Sequence, residues 1–101
     1  MEKSLTAGEL ANLLGTGKDI TLLDVRRKED FDLAPETIGG AQWKNPVDVD
    51  QWMQALPEQC EVIVYCVRGG SVSQSVQQRL TDAGFKAQYV AGGLEAFAQK
   101  N

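Results

Sequence analysis

At 101 residues, 43% hydrophobic and 24% charged, the chain has the size and composition of one soluble globular domain. Its net charge of −4, with no run of like charge longer than Arg26-Arg27-Lys28, argues against nucleic acid or an anionic membrane as the main partner. There is no histidine, which excludes every Ser-His-Asp or Cys-His enzyme and removes the commonest metal ligand; two cysteines do not make a disulfide framework.

The opening Met1-Glu2-Lys3-Ser4-Leu5-Thr6 carries no apolar stretch of the kind a signal peptide needs. No apolar run approaches the ~18 residues of a membrane span, so a cytoplasmic protein is expected. Thr6-x-x-Glu9 is a capping box, and Leu10, Leu13 and Leu14 follow on one helical face until Gly15 and Gly17 end it. Ile20 to Val25 is apolar and partly β-branched, a buried strand. Lys28 to Leu33 fits one short helical turn with Phe31 inward, and residues 34–40 form a loop marked by Pro35 and Gly39-Gly40. Ala41 to Trp43 is a very short strand. Pro46 to Leu56 predicts a helix with Val49, Trp52, Met53 and Leu56 on one side, closed by Pro57. Glu61 to Tyr65 is apolar on both faces, hence a central strand. Ser71 to Ala83 repeats Val72, Val76 and Leu80 every four residues, a helix stopped by Gly84. Ala87 to Val90 is a further strand, Gly92-Gly93 turns the chain, and Leu94 to Gln99 is a final helix.

Strands alternating with helices predict an α/β fold, a mainly parallel central sheet with helices on both faces. No linker or repeat divides the chain, so a single domain over 1–101 is expected. Ligands of such sheets bind beyond the carboxyl ends of the strands.

Cys66 sits at such an end. Between it and the following helix lie Val67, Arg68, Gly69 and Gly70. The glycines permit a tight backbone with N–H groups turned inward, and such a nest next to a helix N-terminus stabilises a thiolate. Arg68 adds a planar cationic fork suited to an oxyanion. Ser71, at the expected N-cap, can donate to the sulfur or to a bound anion. The bland alternative is a buried cysteine followed by an ordinary turn. Cys60 precedes its strand and has no glycine loop, so it reads as structural. Trp43 and Trp52 read as core or pocket wall, and Arg27 and Lys28 as a solvated helix face that could extend the positive field at the mouth.

With its surroundings, this loop resembles the rhodanese family of single-domain sulfurtransferases. Leu22-Leu23-Asp24-Val25-Arg26 resembles the first signature, followed by Asp30-Phe31; Ile38-Gly39-Gly40-Ala41 matches the next loop. Val64-Tyr65-Cys66 leads into an active-site loop of six residues, Cys66 to Ser71, and Val90-Ala91-Gly92-Gly93-Leu94-Glu95-Ala96-Phe97 resembles the closing motif. The resemblance implies a rhodanese-like fold and a double displacement: Cys66 takes a sulfane sulfur from a small donor such as thiosulfate or a persulfide, then yields it to a thiol, cyanide or a protein. It implies Cys66 as catalytic residue, Val67, Arg68, Gly69, Gly70 and Ser71 as the substrate-binding loop, and Asp24 and Arg26 as a supporting pair that braces the loops. No cofactor and no metal are expected, and a monomer suffices. Two departures stand out: Thr37 replaces the family's loop histidine, and Phe97 its closing tryptophan.

Three other readings compete. A Cdc25-like phosphatase or arsenate reductase would need Cys-x5-Arg, but Val72 holds that position and no arginine follows until Arg79. A non-catalytic interaction module often lacks the cysteine, which is kept here. A thiol redox protein would want a resolving cysteine close to Cys66.

Overall fold

The computed structural model describes residues 3–17, 19–57 and 60–100. Its elements run β1 (Ser4–Leu5), α1 (Ala7–Thr16), β2 (Thr21–Asp24), α2 (Lys28–Leu33), β3 (Gln42–Trp43), α3 (Val49–Trp52), β4 (Glu61–Tyr65), α4 (Ser71–Asp82), β5 (Lys86–Val90) and α5 (Gly93–Lys100). The five strands form one sheet in the order β1-β5-β4-β2-β3. Each of its four pairings is parallel, so the expected mainly parallel sheet is parallel throughout.

Period-two alternation along the strands divides the core into two layers. Leu22, Ile63, Tyr65 and Val90 face one side, where they pack with Leu10 of α1, Ile38, and Leu94 and Phe97 of α5. Leu23, Val25, Val62, Val64 and Ala87 face the other, against Val76 and Leu80 of α4 and Val49 and Trp52 of α3. Cys60 packs at the edge of this second layer as a free thiol, the structural place expected of it.

The α1 capping box forms as the sequence predicts: Glu9 N–H donates to Thr6 Oγ1 at 3.0 Å and Thr6 N–H to Glu9 Oε1 at 2.8 Å. Gly15 lies inside the helix, and Gly17 alone caps it, in the left-handed region. Leu10 is buried, but Leu14 points largely to solvent.

One element is new and two expectations are corrected. Ser4–Leu5 is a strand that the sequence does not announce: it pairs with Tyr89 and Val90 at the sheet edge. Two residues offer no periodicity to detect. The predicted helix from Pro46 to Leu56 is broken into a 3-10 turn at Pro46–Asp48, the single α turn of α3, and a second 3-10 turn at Met53–Ala55. Its β-branched and aspartate residues are weak helix formers, and local bonds hold the alternative: Asn45 Oδ1 accepts from Val47 N–H at 3.1 Å, and Trp52 Nε1 donates to the Asn45 carbonyl at 2.8 Å. Finally, the buried face of α4 is Ser73, Val76, Gln77 and Leu80, whereas Val72 is half-buried and turned toward a cleft.

Candidate active site

Strand β4 ends at Tyr65, and Cys66 follows in the central position of the sheet, with the twelve-residue helix α4 beginning at Ser71. Cys66 is buried, yet it lines a cleft of about 500 Å³ shared with Arg27, Asp30, Val67, Arg68 and Val72. Gly70 and Ser71 also border this cleft. The structure thus brings together at the cleft every residue of the predicted loop except Gly69, which supports it from behind.

That support is backbone against backbone. Gly69 has φ of +70°, and its α-carbon faces Val90 O and the N–H of Gly92, with no room for a Cβ. Gly93 packs on the other side against the Cys66 carbonyl and the N–H groups of Arg68 and Gly69. The first turn of α5 then takes the loop's carbonyls: Leu94 N–H donates to Cys66 O at 2.8 Å and Glu95 N–H to Val67 O at 3.0 Å. Among the described residues, the N–H groups of Val67, Arg68, Gly69 and Gly70 have no backbone acceptor. The carbonyls of Cys66, Val67, Gly69 and Gly70 are taken, while the loop's N–H groups make no backbone hydrogen bond, next to the positive end of the α4 dipole. This arrangement suits an anion or a thiolate.

The hydroxyl at the sulfur is not the expected one. Gly70 is the N-cap of α4, so Ser71 is the first helical residue and caps nothing with its side chain. Ser73, fully buried, meets the sulfur instead: the Cys66 thiol donates to Ser73 Oγ at 3.2 Å, and that hydroxyl leans toward Gly70 O at 3.5 Å. When sulfur is a thiolate the same contact reverses, and Ser73 donates to it. A polar residue recurring on the apolar face of α4, three before Val76 and seven before Leu80, is the sequence signal for this contact.

Arg68 stands at the lip of the cleft with its side chain 80% exposed, and its Nε donates to Glu95 Oε2 at 2.9 Å. Glu95 holds the guanidinium above its ordinary value through that hydrogen bond. Nothing in the sequence pattern pairs these two, one on the Cys66 loop and the other in the first turn of α5.

Asp24 and Arg26 do not reach the cleft. They form a buried ion pair at the end of β2, with Arg26 Nη2 at 2.7 Å from Asp24 Oδ2 and Nε at 3.0 and 2.9 Å from Oδ1 and Oδ2. The rest of the guanidinium donates to the carbonyls of Ala34 at 2.9 Å and Glu36 at 3.0 Å. It lies over the Phe31 ring, which stacks on Trp43. Tyr65 completes the network: its hydroxyl accepts from Ile38 N–H at 3.0 Å and donates to Asp24 Oδ2 at 3.3 Å. Burial pushes the Tyr65 phenol well above its ordinary value, the Ile38 N–H offsets part of that, and Asp24 adds to it. The pair therefore ties the 34–38 loop to the central strands, a bracing role. Thr37, at the position of the missing histidine, turns its hydroxyl toward Ala41 O at 3.4 Å. No buried side-chain polar atom among the described residues lacks a partner, so burying this charge leaves no orphan. Among the described residues no cluster of acidic or cysteine side chains could hold a metal, and no helix is long and apolar enough to cross a membrane.

Comparison with known proteins agrees with this geometry. The family model of the rhodanese-like domain matches residues 6–100. The thiosulfate sulfurtransferase GlpE of Coxiella burnetii is 33% identical over 81 residues, covering 79% of this chain and 73% of that protein. A tRNA 2-selenouridine synthase of a Shewanella species is 43% identical over 51 residues, half of this chain; the match spans only 14% of that much longer enzyme. In three dimensions, a rhodanese-like domain protein from Staphylococcus aureus superposes with a TM-score of 0.83 at 28% identity, covering 95% of this chain and 91% of that one. A rhodanese-related protein from Thermoplasma volcanium gives the same TM-score at 19% identity, covering 99% and 94%, a likeness of fold alone.

Proposed function

The chain belongs to the rhodanese-like domain family, and from that premise we propose that it is a sulfurtransferase that carries sulfane sulfur as a persulfide on Cys66. One observation carries the reading: a cysteine at the carboxyl end of the central strand lines an open cleft, in a loop whose N–H groups have no backbone acceptor, directly before the N-terminus of α4.

The chemistry follows from the parts. Cys66 thiolate attacks the outer sulfur of a donor such as thiosulfate; the S–S bond breaks, sulfite leaves with the electron pair, and Cys66 keeps an S–S⁻ group. An acceptor thiolate or cyanide then attacks that terminal sulfur, and Cys66 returns as thiolate. Both steps develop charge on sulfur, where the unpaired loop N–H groups and Ser73 Oγ stabilise it. No general base is needed once the thiolate exists, which accommodates a chain without histidine. A free thiol persists in a reducing compartment, consistent with a cytoplasmic location.

The test is mass spectrometry of the intact protein after thiosulfate. One added sulfur, a gain of about 32 Da, should appear, disappear on adding cyanide, and be absent in Cys66→Ser. Wild-type protein that gains no sulfur, or a Cys66→Ser variant that does, defeats the proposal.

A further inference from the structure

The peptide groups of the Cys66 loop are not all held alike. A trans peptide points its N–H opposite to its carbonyl, and no cis bond occurs among the described residues. Whatever takes a carbonyl therefore also aims the next N–H. The Cys66 and Val67 carbonyls are taken by the backbone of α5, at 2.8 Å from Leu94 N and 3.0 Å from Glu95 N, which sets the N–H groups of Val67 and Arg68. The Gly69 carbonyl is taken by a side chain instead: Gln74 Nε2 donates to it at 3.0 Å. Gln74 lies outside the cleft and Gly70 borders it, so this bond turns the Gly69 oxygen away from the cleft and the Gly70 N–H back toward it.

The peptide between Gly69 and Gly70 is also the easiest in the loop to turn over. A flip changes ψ of the first residue and φ of the second and leaves the rest of the chain in place. Both residues are glycines, so no Cβ opposes either orientation, and nothing lies within 4 Å of the place a Cβ on Gly70 would take. The flipped peptide would aim its carbonyl oxygen into the cleft, with the negative end of its dipole toward a sulfur that carries negative charge. The backbone alone does not choose between the two orientations; a donor outside the cleft does.

We propose that Gln74 is a positioning residue of the sulfur site, a latch that holds the Gly69–Gly70 peptide with its N–H toward Cys66 and its carbonyl outward. The step it serves rests on the sulfurtransferase reading above, whereas the latch itself rests on the loop geometry. Gln74 touches no reacting atom. It acts through the Gly70 N–H, which meets the charge on sulfur as the donor S–S bond breaks. Adjacent residues of α4 thus serve one site in different ways: Ser73 bonds the sulfur directly and Gln74 bonds the loop around it.

Two substitutions isolate the hydrogen bond. Gln74→Met keeps the length and helix preference of the side chain and loses the donor. Gln74→Glu keeps the shape but only accepts, so it repels the Gly69 carbonyl and favours the flipped peptide, whose Gly70 N–H would face it. Position 74 is exposed, so Tm should change little in either. Alkylation of Cys66 by iodoacetamide, followed on its own peptide by mass spectrometry, and stopped-flow release of sulfite from thiosulfate read the sulfur. NOEs between the Gly69 α-protons and the Gly70 amide proton read the peptide orientation. Both rates should fall about fivefold in Gln74→Met, the worth of one hydrogen bond, and further in Gln74→Glu. The loss should lie in kcat with KM for thiosulfate unchanged, and the NOE pattern should depart from that of wild type. Wild-type rates in Gln74→Met, with a fall in Gln74→Glu alone, would show only the effect of an added charge and overturn the proposal, as would NOEs unchanged in both variants. Wild type that is alkylated at Cys66 but takes no sulfur defeats the sulfurtransferase reading, and alkylation with the NOEs then decides the latch.

Discussion

Replacing Gly69 with alanine asks the most of the active-site loop. The new Cβ would stand 2.6 Å from the Val90 carbonyl oxygen and 2.7 Å from the Gly92 nitrogen, both backbone atoms of a paired strand end and its turn. Neither can swing aside as a side-chain tip could. Gly69 also has φ of +70°, where alanine costs about 1 kcal/mol on conformational grounds alone. Forcing a methyl group against a fixed wall adds about 1–3 kcal/mol. The sum, about 2–4 kcal/mol, lowers Tm by roughly 10–25 °C for a domain of this size. Gly70→Ala is the matched control one residue on: its φ is −87°, and nothing lies within 4 Å of the added Cβ. As an N-cap exchange it should cost less than about 1 kcal/mol. Urea denaturation with a common m-value measures both, and sulfur uptake measures the loop: Gly69→Ala should lose it largely even where folded, because the backbone between Cys66 and α4 must move. Equal stability losses for the two variants would refute the steric reasoning.

Ser73→Ala removes the hydroxyl 3.2 Å from the Cys66 sulfur at a site where alanine fits the helix. A hydrogen bond to a charged group contributes about 1.5–3 kcal/mol, so the rate of persulfide formation should fall tenfold or more, read by stopped-flow release of sulfite, with Tm little changed; an unchanged rate would show that Ser73 is only a packing residue. Tyr65→Phe leaves the buried Ile38 N–H without its acceptor and should cost about 1–3 kcal/mol at neutral pH. The phenol's value is raised in the fold above the 10.0 of a free tyrosine, so the unfolded chain releases its proton first. The contribution of neutral Tyr65 is complete below that value and declines as pH rises beyond it. The stability of wild type should therefore fall more steeply above about pH 10 than that of Tyr65→Phe, and parallel alkaline limbs in urea titrations would contradict this.

The layered α/β architecture was legible because its strands are short apolar runs and its longer helices carry period and caps. Thr6 and Glu9 show the strongest such signal, and the helix begins where they put it. The site was legible as a place: a cysteine, two glycines and a helix start identify the anion-binding corner. What escaped was pairing across sequence distance. Ser73 displaced Ser71 because the helix starts one residue earlier than a serine N-cap would have it, which brings the third helical residue, not the first, to the sulfur. Glu95 lies 27 residues from the arginine it engages, and no local pattern links them. The Pro46 to Leu56 segment failed for a different reason: its apolar spacing is helical, but its aspartates and valines are weak helix formers, and Asn45 just before it caps a short turn with its own side chain.

The hold of α5 on the Cys66 loop also ties the site to the edge of the sheet. The carbonyls of Cys66 and Val67 are bound by N–H groups of Leu94 and Glu95, and β5, which leads into α5, pairs with β1. The shape of the loop that carries the sulfur is therefore set by backbone groups outside the loop, and a change in α5 can reach the sulfur without touching Cys66 itself.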